Sequence, residues 1–192
     1  MEVGARYALV PAGIWALDVV RIEAGLIMLD VDYLSALKAE TAAQTSSPYE
    51  LGLGWAVHLQ KGDFVGREAL KKEKDSGSTP YRFITAVLDD LAYRRAFEDA
   101  GLAADLPVKA WRGMHPIFGS DGNQVGYATC GTWSPQTQKY ILLAQVEPPF
   151  SSLETVLYFD AVVDRRRHRF PLTVVKGPVF ETARKKESYA KI

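Results

Sequence analysis

The sequence has few of the residues that most often build a metal site or a disulfide framework. It contains one cysteine, Cys130, and three histidines. A single cysteine excludes an internal disulfide, so a reducing, cytoplasmic setting is the default expectation. The histidines His58, His115 and His168 have no Cys or His partner at metal-ligand spacing, and the sequence therefore predicts no metal site.

Excess charge and long apolar runs are also missing. Lys plus Arg and Asp plus Glu both total 23, so the formal net charge is zero, whereas a nucleic-acid-binding domain usually has a basic surplus. No apolar run approaches the roughly 18 residues that a membrane-spanning helix needs, and the N-terminus lacks a signal-peptide pattern. These absences argue against nucleic acid and membranes as partners. The hydrophobic fraction of 47% is typical of a globular domain.

The first 79 residues have a mixed pattern. Before Gly25, which suits a helix C-terminus, apolar residues recur at helical spacing: Ile14, Leu17, Val20 and Ala24. We therefore predict a helix over residues 11–24. The composition of the following segments predicts a helix over 33–44, a strand over 51–59, and a helix over 66–75 capped by Asp63.

Beyond Pro80 the pattern changes to short apolar stretches separated by turns. The Asp121-Gly122-Asn123 turn is typical of a hairpin. Strands are predicted near 82–89, 107–112, 115–119, 124–130, 139–146, 155–163 and 169–176. Regular strands without intervening helices indicate a small antiparallel barrel or sandwich. The sequence thus predicts an α+β chain, with an α/β segment over 1–79 and a β-barrel domain over 80–192.

Two charged residues of the first segment lie in apolar surroundings. Arg21 belongs to the first predicted helix, where an unpaired buried charge would be costly, so it needs an acceptor. A carboxylate of the fold is the favoured acceptor, and an anionic ligand is the alternative. Glu50 precedes the predicted strand, where it accepts backbone N–H bonds at a turn or, as the less favoured interpretation, contacts a ligand.

Three features beyond Pro80 also have a structural and a functional interpretation. Trp133 lies in a predicted loop, where it packs beneath the loop or stacks on a planar ligand. Cys130 has no basic partner nearby in the sequence, which favours an inert buried thiol over a nucleophile. The basic run 165–169 is interpreted as a solvated turn that protects the sheet edge, with a phosphate or polyglutamate contact as the alternative.

Four segments follow one another along the chain: GIWALDVVRIEAG (13–25), SPYELGLGWAV (47–57), KGDFVGREAL (61–70) and DGNQVGYATCGTWSP (121–135). Together they resemble the C-terminal half of the glycine-cleavage T protein. That superfamily also includes the folate domains of dimethylglycine and sarcosine dehydrogenases and several tetrahydrofolate-dependent demethylases. The resemblance extends over nearly the whole chain.

This resemblance implies a folate-dependent one-carbon transferase in which three domains surround a channel that holds tetrahydrofolate. In that family the catalytic aspartate comes from the N-terminal half, which we expect this chain to lack, so we predict no catalytic residue here. The residues expected to line or shape the channel are Arg21, Glu50, Trp133 and Arg184, the last placed after Pro178-Val179-Phe180. We also expect a partner chain that supplies the N-terminal half, or self-association.

One departure from the family leaves the reaction open. The T protein has an Ala-Arg-Asp triplet whose arginine contacts folate, and this chain has Leu17 between Ala16 and Asp18. Leucine cannot donate a hydrogen bond. An O- or S-demethylase that passes a methyl group to tetrahydrofolate is therefore one alternative to aminomethyl transfer. A non-catalytic folate-binding module, or an inactive truncated form, is another.

Overall fold

A closed barrel of six antiparallel strands forms the centre of the protein. The structure, a computed structural model, describes residues 2–104 and 109–181. The strands pair in the order β1-β4-β3-β2-β5-β6 and close into a barrel. Their bounds are β1 Arg82–Leu88, β2 Trp111–Phe118, β3 Gln124–Ser134, β4 Lys139–Val146, β5 Val156–Val163 and β6 Arg166–Val175. This confirms the predicted barrel and its antiparallel pairing.

Strand β4 is buried on both faces, which explains its nearly continuous apolar sequence. Leu142 points into the barrel core together with residues such as Leu157 and Leu172. Ile141 and Leu143 point to the outside and pack with Ile22 in a second cluster. The barrel therefore has an inner core and an outer apolar face that a helix covers.

Within residues 2–104 and 109–181, four α-helices accompany the barrel: α1 Glu2–Ala5, α2 Ile14–Glu23, α3 Arg67–Ser76 and α4 Asp90–Asp99. The predicted helix over 11–24 is confirmed as α2, and the predicted helix over 66–75 is confirmed as α3. The residue that precedes α3 is Gly66, with φ of 89°, so the prediction of Asp63 as its cap was wrong. Among the described residues no helix is long and apolar enough to cross a membrane.

Two predictions for the first segment were wrong. The segment predicted as a helix over 33–44 contains turns, isolated bridges and a single 3-10 turn, Ala42–Gln44. Its Leu37 is 97% exposed, so the segment has no apolar face whose burial would stabilise a helix. The segment predicted as a strand over 51–59 turns at Gly52, which has a φ of 71°, and then forms the 3-10 turn Gly54–Ala56.

Two predictions for the barrel domain need correction as well. Helix α4 was missed, although Asp89 caps it by accepting a 3.0 Å hydrogen bond from the Ala92 amide. Its Tyr93 ring packs against Phe170 of the barrel and against Phe97 of the same helix. From Trp111 on, the two strands predicted over 107–112 and 115–119 form one strand, β2, with a bulge between Arg112 and His115. Residues 107–108 lie outside the described residues.

Candidate functional site

Helix α2 contacts the barrel through a face that combines charged residues with the apolar Ile22. Asp18 and Arg21 are 1% and 4% exposed, and Ile22 is fully buried in the outer apolar cluster. The Arg112 side chain of β2 reaches across and donates two hydrogen bonds to Asp18 from Nη2, at 2.8 and 2.9 Å. The apolar positions that predicted the helix face outward instead, since Leu17 is 54% exposed. The ion pairs and the burial of Ile22 together thus define the buried face of α2.

Arg21 connects α2 to the loop that follows it. Its Nη1 donates to Asp32 Oδ2 at 2.8 Å and to the Leu26 carbonyl at 3.3 Å, and its Nε donates to Asp18 Oδ1 at 3.3 Å. Asp32 is 1% exposed and also accepts from the Met28 amide at 2.8 Å. The structural pair favoured from the sequence is therefore present. Arg21 holds residues 26–32 in place.

Cys130 lies in the same buried network. Its thiol donates to Asp32 Oδ1 at 3.3 Å, and the Thr129 hydroxyl donates to the same oxygen. Burial, together with the charge of Asp32, raises the pKa of the Cys130 thiol to about 12. The thiol is protonated at neutral pH, and a protonated thiol is a poor nucleophile. The interpretation as an inert buried cysteine agrees with this geometry.

Glu50 stabilises the turn before residues 51–55. Its Oε2 accepts a hydrogen bond from the Ser47 amide at 2.8 Å, and its backbone carbonyl accepts one from the Phe83 amide of β1 at 2.7 Å. Burial raises the pKa of the Glu50 carboxyl, and the neighbouring Glu73 charge adds to this effect. Glu50 therefore has the structural role that the sequence favoured, and it fixes the 51–55 loop against the barrel.

Residues 24–27 and the 51–55 loop line a cavity of about 640 Å³. Strand β1 and the end of β6 form the third side. The cis Gly177-Pro178 peptide, which comes after β6, also lines the cavity. The volume lies in the range typical of small-molecule sites. Its walls are mainly apolar, with the Trp55 indole 78% exposed at one side and Lys176 as the charged lining residue. We take this cavity as the candidate site.

The four residues predicted for the site occupy different places. Arg21 and Glu50 do not line the cavity, but each bonds to a residue that does, Leu26 and Phe83 respectively. Trp133 lies in strand β3, not in a loop, and is half-buried against the barrel core. Arg184 lies outside the described residues. Whether the four residues affect a ligand stays a prediction.

Sequence reasoning missed the residues that line the cavity directly. Trp55 and Leu53 belong to the segment that was assigned to a strand, and Lys176 follows the last strand. The available signal was the pair of glycines, Gly52 and Gly54, before an aromatic residue. Glycines at that spacing are as typical of a turn that exposes the next aromatic side chain as they are of a bulged strand.

Comparison with known proteins defines the class. Residues 100–181 match the family model of the glycine cleavage T-protein C-terminal barrel domain. A crystal structure of glycine cleavage system aminomethyltransferase T from Bartonella henselae is similar in fold, with a TM-score of 0.66 over 88% of this chain and 39% of that one. Its sequence identity is 19%, so that likeness concerns the fold alone.

Curated relatives extend the match along the chain. An aminomethyltransferase of Parasynechococcus marenigrum (strain WH8102) is 35% identical over 171 residues, which cover 88% of this chain and 38% of the relative. One of Prochlorococcus marinus (strain NATL2A) is 32% identical, with 88% and 37% covered. The chain corresponds to the C-terminal part of the glycine-cleavage T protein (aminomethyltransferase) superfamily, which confirms the resemblance seen in the sequence. It spans about two fifths of the length of these relatives.

Proposed function

We propose that this chain contributes the barrel-side wall of a site for tetrahydrofolate-dependent one-carbon transfer, in which an aminomethyl or a methyl group is moved. The observation that carries the proposal is the 640 Å³ cavity between residues 24–27, the 51–55 loop and the end of β6. The names of the curated relatives support the transferase class. No carboxylate is among the lining residues described, which is consistent with a wall that binds and orients without acting as an acid or a base.

The chemistry of the cavity fits a folate. Tetrahydrofolate has flat ring systems and a glutamate tail, and it supplies the nitrogen that accepts the one-carbon unit. The exposed Trp55 indole offers a flat surface for a ring. Lys176 has no carboxylate partner among the described residues, so it is available to a carboxylate of the tail. Arg21 and Glu50 support the cavity indirectly, through their hydrogen bonds to Leu26 and Phe83.

Titration of the full chain with tetrahydrofolate, followed by calorimetry, tests this function. We expect saturable binding, and at 100 times the Kd the ligand should stabilise the protein by about 2.7 kcal/mol. Trp55→Ala should weaken the affinity about tenfold, because a ring stacked on an indole is worth roughly 1 kcal/mol or slightly more.

Trp15→Ala is the matched control for this prediction. Trp15 is also an exposed tryptophan, at 50% against 78% for Trp55, and it lies at the N-terminal end of α2, outside the cavity lining. Its replacement should leave the affinity for tetrahydrofolate unchanged. Absence of any heat of binding, or equal losses in the two variants, would contradict the proposal.

We further propose that the face formed by residues 2–79 is covered by a protein partner, either a chain that supplies further folate-site residues or a second copy. Most of the exposed large apolar side chains described lie before Pro80, among them Val10, Leu17, Val20 and Trp55. An apolar surface of this kind usually marks an interaction site. Light scattering coupled to gel filtration at micromolar concentration should give a mass above the 21.3 kDa of one chain. A monomer that keeps this mass over a tenfold rise in concentration would exclude self-association.

A further inference from the structure

The wall of the barrel is incomplete between β2 and β5. Within the described residues, these strands pair only over residues 117–118 of β2 and 158–159 of β5. The same register would place Pro116 opposite Asp160, and proline has no backbone N–H to donate. Residues 112–115 of β2 then contain a bulge, which bends a strand. The hydrogen-bonded ladder between β2 and β5 therefore stops after two residue pairs.

The hairpin of β5 and β6 determines which backbone groups of β5 remain free. Its turn consists of residues 164–165, with φ of 45° and 62°, the left-handed pair of a type I′ turn. Val163 and Arg166 flank this turn and exchange both backbone hydrogen bonds, and every second residue of β5 bonds to β6 in the same way. The N–H and C=O groups of Asp160 and Val162 therefore point away from β6, toward the gap.

This edge is open to solvent, whereas the core behind it is closed. Val162 on one side of the gap is 67% exposed, and Met114 on the other side is 74% exposed. Inside the barrel the rings of Trp111, His115 and Phe159 contact one another. These rings close the core where the backbone ladder is missing. A further strand can thus pair with the edge of β5 while the core stays packed.

The basic run 165–169 lies at the end of this edge. It contains four arginines, all exposed, and the carboxylates next to them in the hairpin are Asp160 and Asp164. Asp160 is shared between Arg167 and Arg169, at 3.5 and 3.2 Å. The other two arginines of the run have no carboxylate partner among the residues that the structure describes. The hairpin therefore has a surplus of positive charge beside its free edge.

We propose that residues 160–162 of β5 bind an acidic, extended segment of a protein partner as an additional antiparallel strand. The backbone of this segment bonds to Asp160 and Val162, and its carboxylates pair with the arginines of the basic run. A second copy is the disfavoured occupant, because pairing two β5 edges would bring two basic runs together. The proposal does not depend on folate binding, since neither residue lines the candidate cavity.

Hydrogen exchange of the full chain, followed by NMR, tests this edge. In the free protein the amides of Asp160 and Val162 should exchange rapidly, while β6 protects those of Ala161 and Val163. The probe is a heptapeptide with blocked termini and the sequence Glu-Val-Glu-Val-Glu-Val-Glu. At saturation it should slow the exchange of the Asp160 and Val162 amides by about tenfold or more, because both then lie between strands.

Two peptides separate strand addition from simple charge attraction. A peptide with Lys in place of each Glu should bind about tenfold more weakly or worse, because it meets the arginines with like charge. A peptide with Pro in place of each Val keeps the acidic charge but loses every second N–H group. It should leave the exchange of the Asp160 and Val162 amides unchanged.

A pair of double variants tests the basic run. Arg165→Gln with Arg166→Gln should weaken the binding of the acidic peptide about fivefold, the effect of losing two exposed ion pairs. Lys71→Gln with Lys72→Gln removes the same charge from two exposed positions of α3 and should change nothing.

Four results would each overturn the proposal. They are no protection of the two amides at about 1 mM acidic peptide, equal binding of the acidic and basic peptides, equal losses in the two double variants, and protection by the proline peptide. Amides of Asp160 and Val162 that are already protected in the free protein, increasingly so at higher protein concentration, would show that a second copy occupies the edge and would overturn it as well.

Discussion

Asp32→Ala is expected to lower the free energy of unfolding by about 3–5 kcal/mol, the cost of removing one partner from a buried ion pair. The Asp32 carboxylate accepts from the Arg21 guanidinium, the Met28 amide, Thr129 and Cys130. Without it, Arg21 remains buried beside Asp18, which Arg112 already uses. Urea denaturation followed by circular dichroism measures the change.

The control for this prediction lies two residues earlier. Asp30 also forms an ion pair, with Lys38, but both side chains are largely exposed, at 40% and 61%. Because water screens such a pair, and because Asn tolerates the φ of 62° that residue 30 adopts, Asp30→Asn should cost about 1 kcal/mol or less. Equal losses in the two variants would show that burial of the Arg21–Asp32 pair has no special importance for stability.

The sequence predicted the barrel better than the segment before it, for a physical reason. Most barrel strands have enough β-branched and apolar residues to define themselves locally, as in β4, where the predicted and observed bounds coincide at 139–146. Strand β2, predicted as two strands, is the exception. The segment 26–59 has no such local signal. Its conformation depends on single long-range bonds, such as the 2.7 Å bond from Gln145 Nε2 to the Asp32 carbonyl.

The candidate site was predicted only in part because its residues divide into two kinds. Arg21 and Glu50 stand out in the sequence as charges in apolar surroundings, and the structure gives both a supporting role. Trp55 and Lys176 do not stand out, because a tryptophan in an apolar run and a lysine after a strand are common. Only the closure of the barrel brings the end of β6 next to the 51–55 loop and makes these two residues neighbours of one cavity.

Gly126→Ala is expected to destabilise the barrel by about 4 kcal/mol or more, the range reached when a side chain is forced against rigid surroundings. A Cβ at Gly126 would lie 2.2 Å from the Gln145 carbonyl oxygen and 2.7 Å from the Val146 Cα. Both atoms belong to the backbone of β4, so no side-chain rotation relieves the contact. Thermal unfolding followed by circular dichroism should show a Tm lowered by about 8 °C or more.

The same substitution should also disturb the structure near the candidate site, because β3 must move away from β4 to admit the methyl group. Gln145, whose side chain holds the Asp32 carbonyl, lies at the point of contact. Gly13→Ala serves as the control, since a Cβ there meets no heavy atom within 4 Å and should cost about 1 kcal/mol or less at the start of α2. A Gly126→Ala protein that unfolds at the same temperature as Gly13→Ala would show that the β3–β4 contact is looser than the backbone distances require.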